Sequence, residues 1–224
     1  MSIWYATNLS TLEGFANRQH KLEVSKRIVP DGAEAFFEKL MKKSFGITGQ
    51  LNKNTALDDL RYLLAEEIPA ETKKNSFYEF WLRDIAKISG LFCNVANRNT
   101  IGVWVGSKRG CKRYHIDNVP YRLLVTYAGK GTEWLPDEAS DRGAYDRGET
   151  NENIIKDQSA KRFIGQWDVA IFRGGSNGLL HRTPDCALQA NSILMRLDRD
   201  VYKRQPMKLL TEELMPEVRL TKTL

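Results

Sequence analysis

The sequence predicts an α+β fold, with a helical N-terminal layer packed on a barrel-like region of short strands. Two observations carry this expectation. Hydrophobic spacing is helical before about residue 98 and strand-like after it, and the strand-like half holds a His-x-Asp pair followed by a distant histidine. The 224 residues suffice for one sizeable domain, read as 1–198, with the helical layer over about 1–97 and the barrel over about 98–198.

In the first half, Asp31 is placed to cap a helix over 33–44, with Ala35, Phe36, Leu40 and Met41 at helical spacing. A second helix is expected over 58–68 and a longer one over 71–96. The apolar stripe of the longest, from Phe77, Phe80, Trp81, Ile85, Ile88 and Leu91, is read as a face packed on the barrel. In the second half, 100–105, 114–117, 121–127, 167–173 and 192–198 are short, rich in β-branched and aromatic residues, and bounded by Gly, Pro or Asn. The polar stretch 136–159 reads as a long surface loop, and Gly129-Lys130-Gly131-Thr132 as a hairpin turn.

Residues 199–224 are read as a tail outside the domain. The run Asp200-Val201-Tyr202-Lys203-Arg204-Gln205 resembles a translated sequencing adapter, and the competing reading is a short helix over 208–214.

Composition excludes several classes. The formal net charge is +6, and no basic run is interleaved with aromatics, so no nucleic-acid partner is expected. No apolar run approaches the ~18–20 residues of a membrane span. Three cysteines without framework spacing argue against a disulfide scaffold. No secretion signal is visible at the start, so the cytoplasm is the expected compartment.

The chemistry lies in two of the three histidines. On a strand, His115 and Asp117 point to the same face with Cα atoms about 6.6 Å apart, close enough to share one ion. His181 follows the turn Gly174-Gly175-Ser176-Asn177-Gly178 and is the candidate third ligand. Two histidines and one carboxylate form the facial triad that leaves positions open on non-haem Fe(II). The competing reading of the same residues is a structural His–Asp hydrogen bond and a satisfied core histidine.

The block Cys111-Lys-Arg-Tyr-His115-Ile-Asp117-Asn-Val-Pro-Tyr-Arg122, continuing to Gly131-Thr132-Glu133-Trp134-Leu, resembles the signature block of the DUF1826 family. His181-Arg182-Thr183-Pro184 and the strand ending at Asp198 resemble that family's closing block. The His-x-Asp…His pattern is itself similar to the double-stranded β-helix oxygenases that use Fe(II) and 2-oxoglutarate. That resemblance implies a jelly-roll or cupin-like barrel, a metal held by His115, Asp117 and His181, and a small-molecule substrate.

One face of 121–127 carries Arg122, Leu124 and Thr126, expected to look into the barrel and line the cosubstrate. The other carries Tyr121, Leu123, Val125 and Tyr127, expected under the helices. A buried Arg122 needs an anion, either a cosubstrate carboxylate or a salt bridge to Asp117 or Glu133. Arg196 is the second candidate anchor and catalytic residue beside Arg122. In the oxygenases the anchoring base follows the distal histidine by about ten residues; here that position is Asn191. The alternative function is a non-catalytic zinc-binding or metal-handling protein with Cys111 as a fourth ligand. It requires Gly110 to bend the chain, since a regular strand would separate Cys111 from His115 by about 13 Å.

Overall fold

The computed structural model describes residues 3–199. The proposed tail and its candidate helix lie outside the described residues.

The strands are β1 (Ile3–Ala6), β2 (Leu22–Ser25), β3 (Gly46–Asn52), β4 (Thr100–Gly106), β5 (Tyr121–Ala128), β6 (Glu133–Leu135), β7 (Arg162–Phe163), β8 (Val169–Arg173), β9 (Leu180–Arg182) and β10 (Ile193–Asp198). They form a seven-stranded sheet in the order β1-β2-β8-β5-β10-β4-β3 and a three-stranded sheet in the order β7-β6-β9. All neighbours are antiparallel except β1 and β2. The fold is α+β, as expected.

Among the described residues a 3-10 helix over Leu9–Asn17 and four α-helices precede β4: α1 (Ala33–Leu40), α2 (Ala56–Leu63), α3 (Ala70–Lys73) and α4 (Ser76–Ala96). The helix expected over 71–96 is broken at Asn75, whose side chain accepts from the Phe77 N–H and starts α4. α1 is capped by Gly32 at φ 82°, not by Asp31. Three strands of the large sheet, β1 to β3, come from the half read as helical, so residue 98 does not divide helices from strands. Pairing overrides local pattern here: all four residues of β2 are buried, leaving no alternation to read.

The large sheet is apolar on both faces. Leu123, Val125 and Tyr127 of β5 join Phe37, Trp81 and Ile85 in the core under the helices. Leu124 joins Phe172, Leu194 and Trp134 in the core between the two sheets. The two faces of β5 are therefore disposed as the alternation predicts. A third, smaller cluster of Tyr114, Leu135, Ala144, Ile154 and Leu180 covers the outer side of the small sheet. The stretch 136–159 supplies part of it and forms short helical turns, including Arg142–Asp146 and Asn151–Ile154, rather than a bare loop.

Residues 129–132 join strands of different sheets, so they form a crossover and not a hairpin turn. Gly131 is fixed by space: a Cβ there would lie 1.7 Å from the Ile164 carbonyl oxygen. Among the described residues no helix is long and apolar enough to cross a membrane.

Gly131→Ala should force the crossover away from Ile164. Overpacking of this kind costs about 1–3 kcal/mol, and 1 kcal/mol moves the midpoint of a chain this size by about 2–4 °C. A thermal melt should show the loss; an unchanged midpoint would contradict this packing.

Candidate metal centre

His115 lies outside regular strand, yet its backbone exchanges two hydrogen bonds with His181 of β9, N–H to carbonyl in each direction at 3.0 Å. In such an antiparallel pair the two side chains stand on the same side. The imidazole centroids are 4.3 Å apart. Only this bridge forms where a strand was expected over 114–117, but it suffices to bring the histidines together.

Asp117 is set by the turn between β8 and β9. Its carbonyl accepts from the Gly175 N–H at 2.8 Å. A Cβ on Gly174 would lie 2.3 Å from that same carbonyl oxygen, so only glycine allows the approach. The Asp117 carboxylate then faces both rings, with Oδ1 3.6 Å from His115 Nε2 and Oδ2 3.4 Å from His181 Nε2. One ligand atom from each of the three residues lies within 4.8 Å of the others.

The ring orientations follow from the other nitrogens. Nδ1 of His115 donates to the Arg113 carbonyl at 3.1 Å, and Nδ1 of His181 to the Leu179 carbonyl at 3.0 Å. Each neutral ring therefore presents an Nε2 lone pair to the carboxylate. Among the described residues Asp117 Oδ2 is buried without a hydrogen-bond partner. Three converging acceptors, one of them orphaned, repel one another unless a proton or a cation sits between them. The donor set, two imidazoles and a carboxylate, fits a divalent transition metal. Nδ1 donation to a carbonyl is the usual outer support of a metal-binding histidine.

Without metal, a proton takes that role. Burial opposes charge on His115, but hydrogen bonds to Asp117 and Cys111 outweigh it and raise its pKa to about 10. Burial lowers His181 to about 4. Burial also opposes charge on Asp117, yet the His115 hydrogen bond and the neighbouring cations bring it down to about 2.

The sequence model of one family, described as a protein of unknown function (DUF1826), matches residues 6–198. The chain belongs to the DUF1826 family. No curated protein matches it in sequence. Among solved structures, a bsmA homolog from Methylobium petroleophilum PM1 is 11% identical, with 85% of this chain and 92% of that chain covered and a TM-score of 0.43. The Fe(II)/(alpha)ketoglutarate-dependent dioxygenase TqaL is 10% identical, with 87% and 88% covered and a TM-score of 0.45.

In this DUF1826 chain the remaining candidates separate. Arg122 is held in ion pairs, through Nη1 to Asp117 and through Nε to Asp198 at 2.6 Å. Of the two readings of Arg122, the structure contains the salt bridge. Arg196 points to the same region, its Nε 3.4 Å from Asp198 Oδ2 and its guanidinium stacked on Trp104 at 5.7 Å. Thr126, expected to line the cosubstrate, is buried four residues along β5 from Arg122, about 13 Å away. Cys111 lies in an irregular segment and is exposed; His115 lowers its thiol pKa, although it is not among the three converging ligands.

Sequence reading missed the buried network behind the histidines. Glu133 accepts from Tyr114 Oη and from Arg182 Nε at 2.9 Å, and Arg182 also reaches Asp185 at 3.1 Å. The available signal was Glu133 itself, a carboxylate inside an otherwise apolar three-residue strand.

The pKa directions fix a proton count. Between about pH 5 and pH 9, His181 and Asp117 are already deprotonated while His115 is protonated, so binding a divalent ion must expel one proton. Affinity should therefore rise about tenfold per pH unit across this window. Titration calorimetry in buffers of different ionisation enthalpy reads the proton directly; a pH-independent affinity would show that His115 carries no proton for the metal to displace.

Proposed function

We propose that this chain is a metal-dependent oxygenase in which His115, Asp117 and His181 hold one Fe(II), with 2-oxoglutarate as cosubstrate. The observation carrying the proposal is the convergence of two histidine Nε2 atoms, each ring held from behind through Nδ1, on the two oxygens of one buried carboxylate, His115 on Oδ1 and His181 on Oδ2. Three protein ligands leave coordination positions open, whereas structural zinc sites close with four. We also read the facing sheets as the two halves of a double-stranded β-helix.

Bound Fe(II) would supply positions for oxygen and a chelating oxo acid. The chain's own residues supply the rest. Arg122 keeps Asp117 ionised and fixes its orientation. Phe172, 4.7 Å from the His181 ring, shields the inner side from water. Arg196, beside Asp198 and stacked on Trp104, is the residue assigned to orient the far carboxylate of the cosubstrate.

A second reading is supported by the electrostatic coupling between the Cys111 thiol and His115. A modest shift of the irregular segment would add the thiolate as a fourth ligand and make a closed zinc site. Cys111→Ala should then weaken zinc binding.

Two measurements test the first reading. Elemental analysis should find about one metal per chain, lost when His115, Asp117 or His181 becomes Ala, because two ligands compete poorly with water and buffer. Full retention in all three variants would remove the site. Anaerobic titration of the Fe(II) protein with 2-oxoglutarate should develop a visible charge-transfer band. Arg196→Ala should weaken that binding by roughly 10–150-fold, the loss of a charge-assisted pair of about 1.5–3 kcal/mol. Iron loading without a band at saturating 2-oxoglutarate would move the zinc reading ahead.

A further inference from the structure

Arg109 stands apart from the other arginines near the site. Arg122 pairs with Asp117 and Asp198, and Arg182 with Glu133 and Asp185. Arg109 is held by neutral oxygens instead: Nη1 donates to the Lys130 carbonyl at 2.6 Å and Nη2 to Thr132 Oγ1 at 2.8 Å. Its Nε is buried and has no hydrogen-bond partner among the described residues. The ionisable groups acting on it are the thiols of Cys111 and Cys186, and burial lowers its pKa to about 10. Withdrawing a guanidinium from water without a carboxylate is unfavourable, and such groups concentrate at binding sites.

Register places this cation at the rim of the metal centre. In the small sheet Trp134 lies opposite His181 and Glu133 opposite Arg182. Thr132, one position further, lies on the Trp134 and His181 side of the sheet, about 7 Å along the strand. Cys111 spans the gap. Its carbonyl accepts from the Thr183 N–H at 2.8 Å, and its thiol acts electrostatically on both His115 and Arg109. The guanidinium is thus pre-positioned, with Nε–H and further Nη hydrogens unused, on the more exposed side of the centre.

We propose that Arg109, steadied by Thr132, is an oxyanion-binding residue, and that the substrate carries a carboxylate or phosphate group which docks there beside His115. The substrate class rests on the oxygenase reading; oxyanion binding at Arg109 requires no metal. A planar fork suits either oxyanion bidentately.

The test uses the metal-free full chain and two probes, inorganic phosphate and acetate, followed through the Arg109 Nε–H resonance by nitrogen-15 NMR. The expected result is a saturable shift with at least one probe, the tighter of the two naming the acid group. Arg109→Gln should weaken that binding at least about tenfold by calorimetry, Arg109→Lys by less, and both should take up Mn(II) as the unaltered chain does. Equal affinity in Arg109→Gln, or no saturable shift with either probe, would overturn the proposal. Should Arg109→Gln not fold, the resonance of the unaltered chain and the Arg109→Lys comparison still decide it. Failure of the unaltered chain to bind metal would overturn the oxygenase reading and with it the substrate class, while the phosphate titration judges Arg109 separately.

Discussion

The centre depends on two backbone hydrogen bonds, those exchanged between His115 and His181. They place two imidazoles side by side although one belongs to a strand and the other to an irregular segment. Two exposed hydrogen bonds would be a weak clamp, worth about 0.5–1.5 kcal/mol each. Here they are backed from behind. Tyr114, Glu133 and Arg182 are one residue from His115, Trp134 and His181, so alternation sends them to the opposite face. There they form a buried ion pair whose side chains are 7% and 4% exposed. Removing one partner of such a pair costs about 3–5 kcal/mol, because a desolvated charge is left alone. The network contributes little net stability over an apolar packing of the same volume, but it strongly penalises any slip of 114–115 against 181–182. It specifies register, and register positions the ligands.

A second constraint runs along the large sheet. Asp117, Arg122, Asp198 and Arg196 alternate in sign, linked through Arg122 Nη1, Arg122 Nε and Arg196 Nε. Alternation lets four charges share a poorly solvated region, since each has an opposite neighbour. It also divides the labour between the two arginines. Arg122 bridges the two carboxylates, whereas Arg196 lies beside Asp198 and against the flat side of Trp104.

What could be read from the sequence was what depends on alternation. The two faces of β5 separate as their period of two requires, and β4, β8 and β10 fall within two residues of the expected spans. The His-x-Asp spacing brought its two residues to one ion-sized gap, though through a bridge and a glycine turn rather than a strand. What escaped is set by tertiary partners. β2 is buried on every residue and carries no period, and the break before α4 follows from one asparagine side chain. The role of Arg122 was undecidable in one dimension, because its two carboxylates lie 5 residues before it and 76 after it. Glu133 was visible as a residue, but its partners could be named only once β6 and β9 were paired.

The same pairing gives the centre a direction. The His181 side chain is 5% exposed and lies against Phe172, while the His115 side chain is 28% exposed. Asp117 is fixed through its backbone by the Gly174–Gly175 turn, and its carboxylate is 6% exposed. Two of the three ligands are therefore closed off by packing, and solvent reaches the centre from the side of the third. That is the side of the irregular segment bearing Arg109 and Cys111, where no regular strand hydrogen bonds oppose its movement. A molecule approaching the triad from solvent would pass groups that carry positive charge or a thiol, set on a segment tied down by single hydrogen bonds such as Thr183 N–H to the Cys111 carbonyl rather than by a strand ladder. Packing thus fixes two of the three converging side chains, and the third sits where the centre opens to solvent.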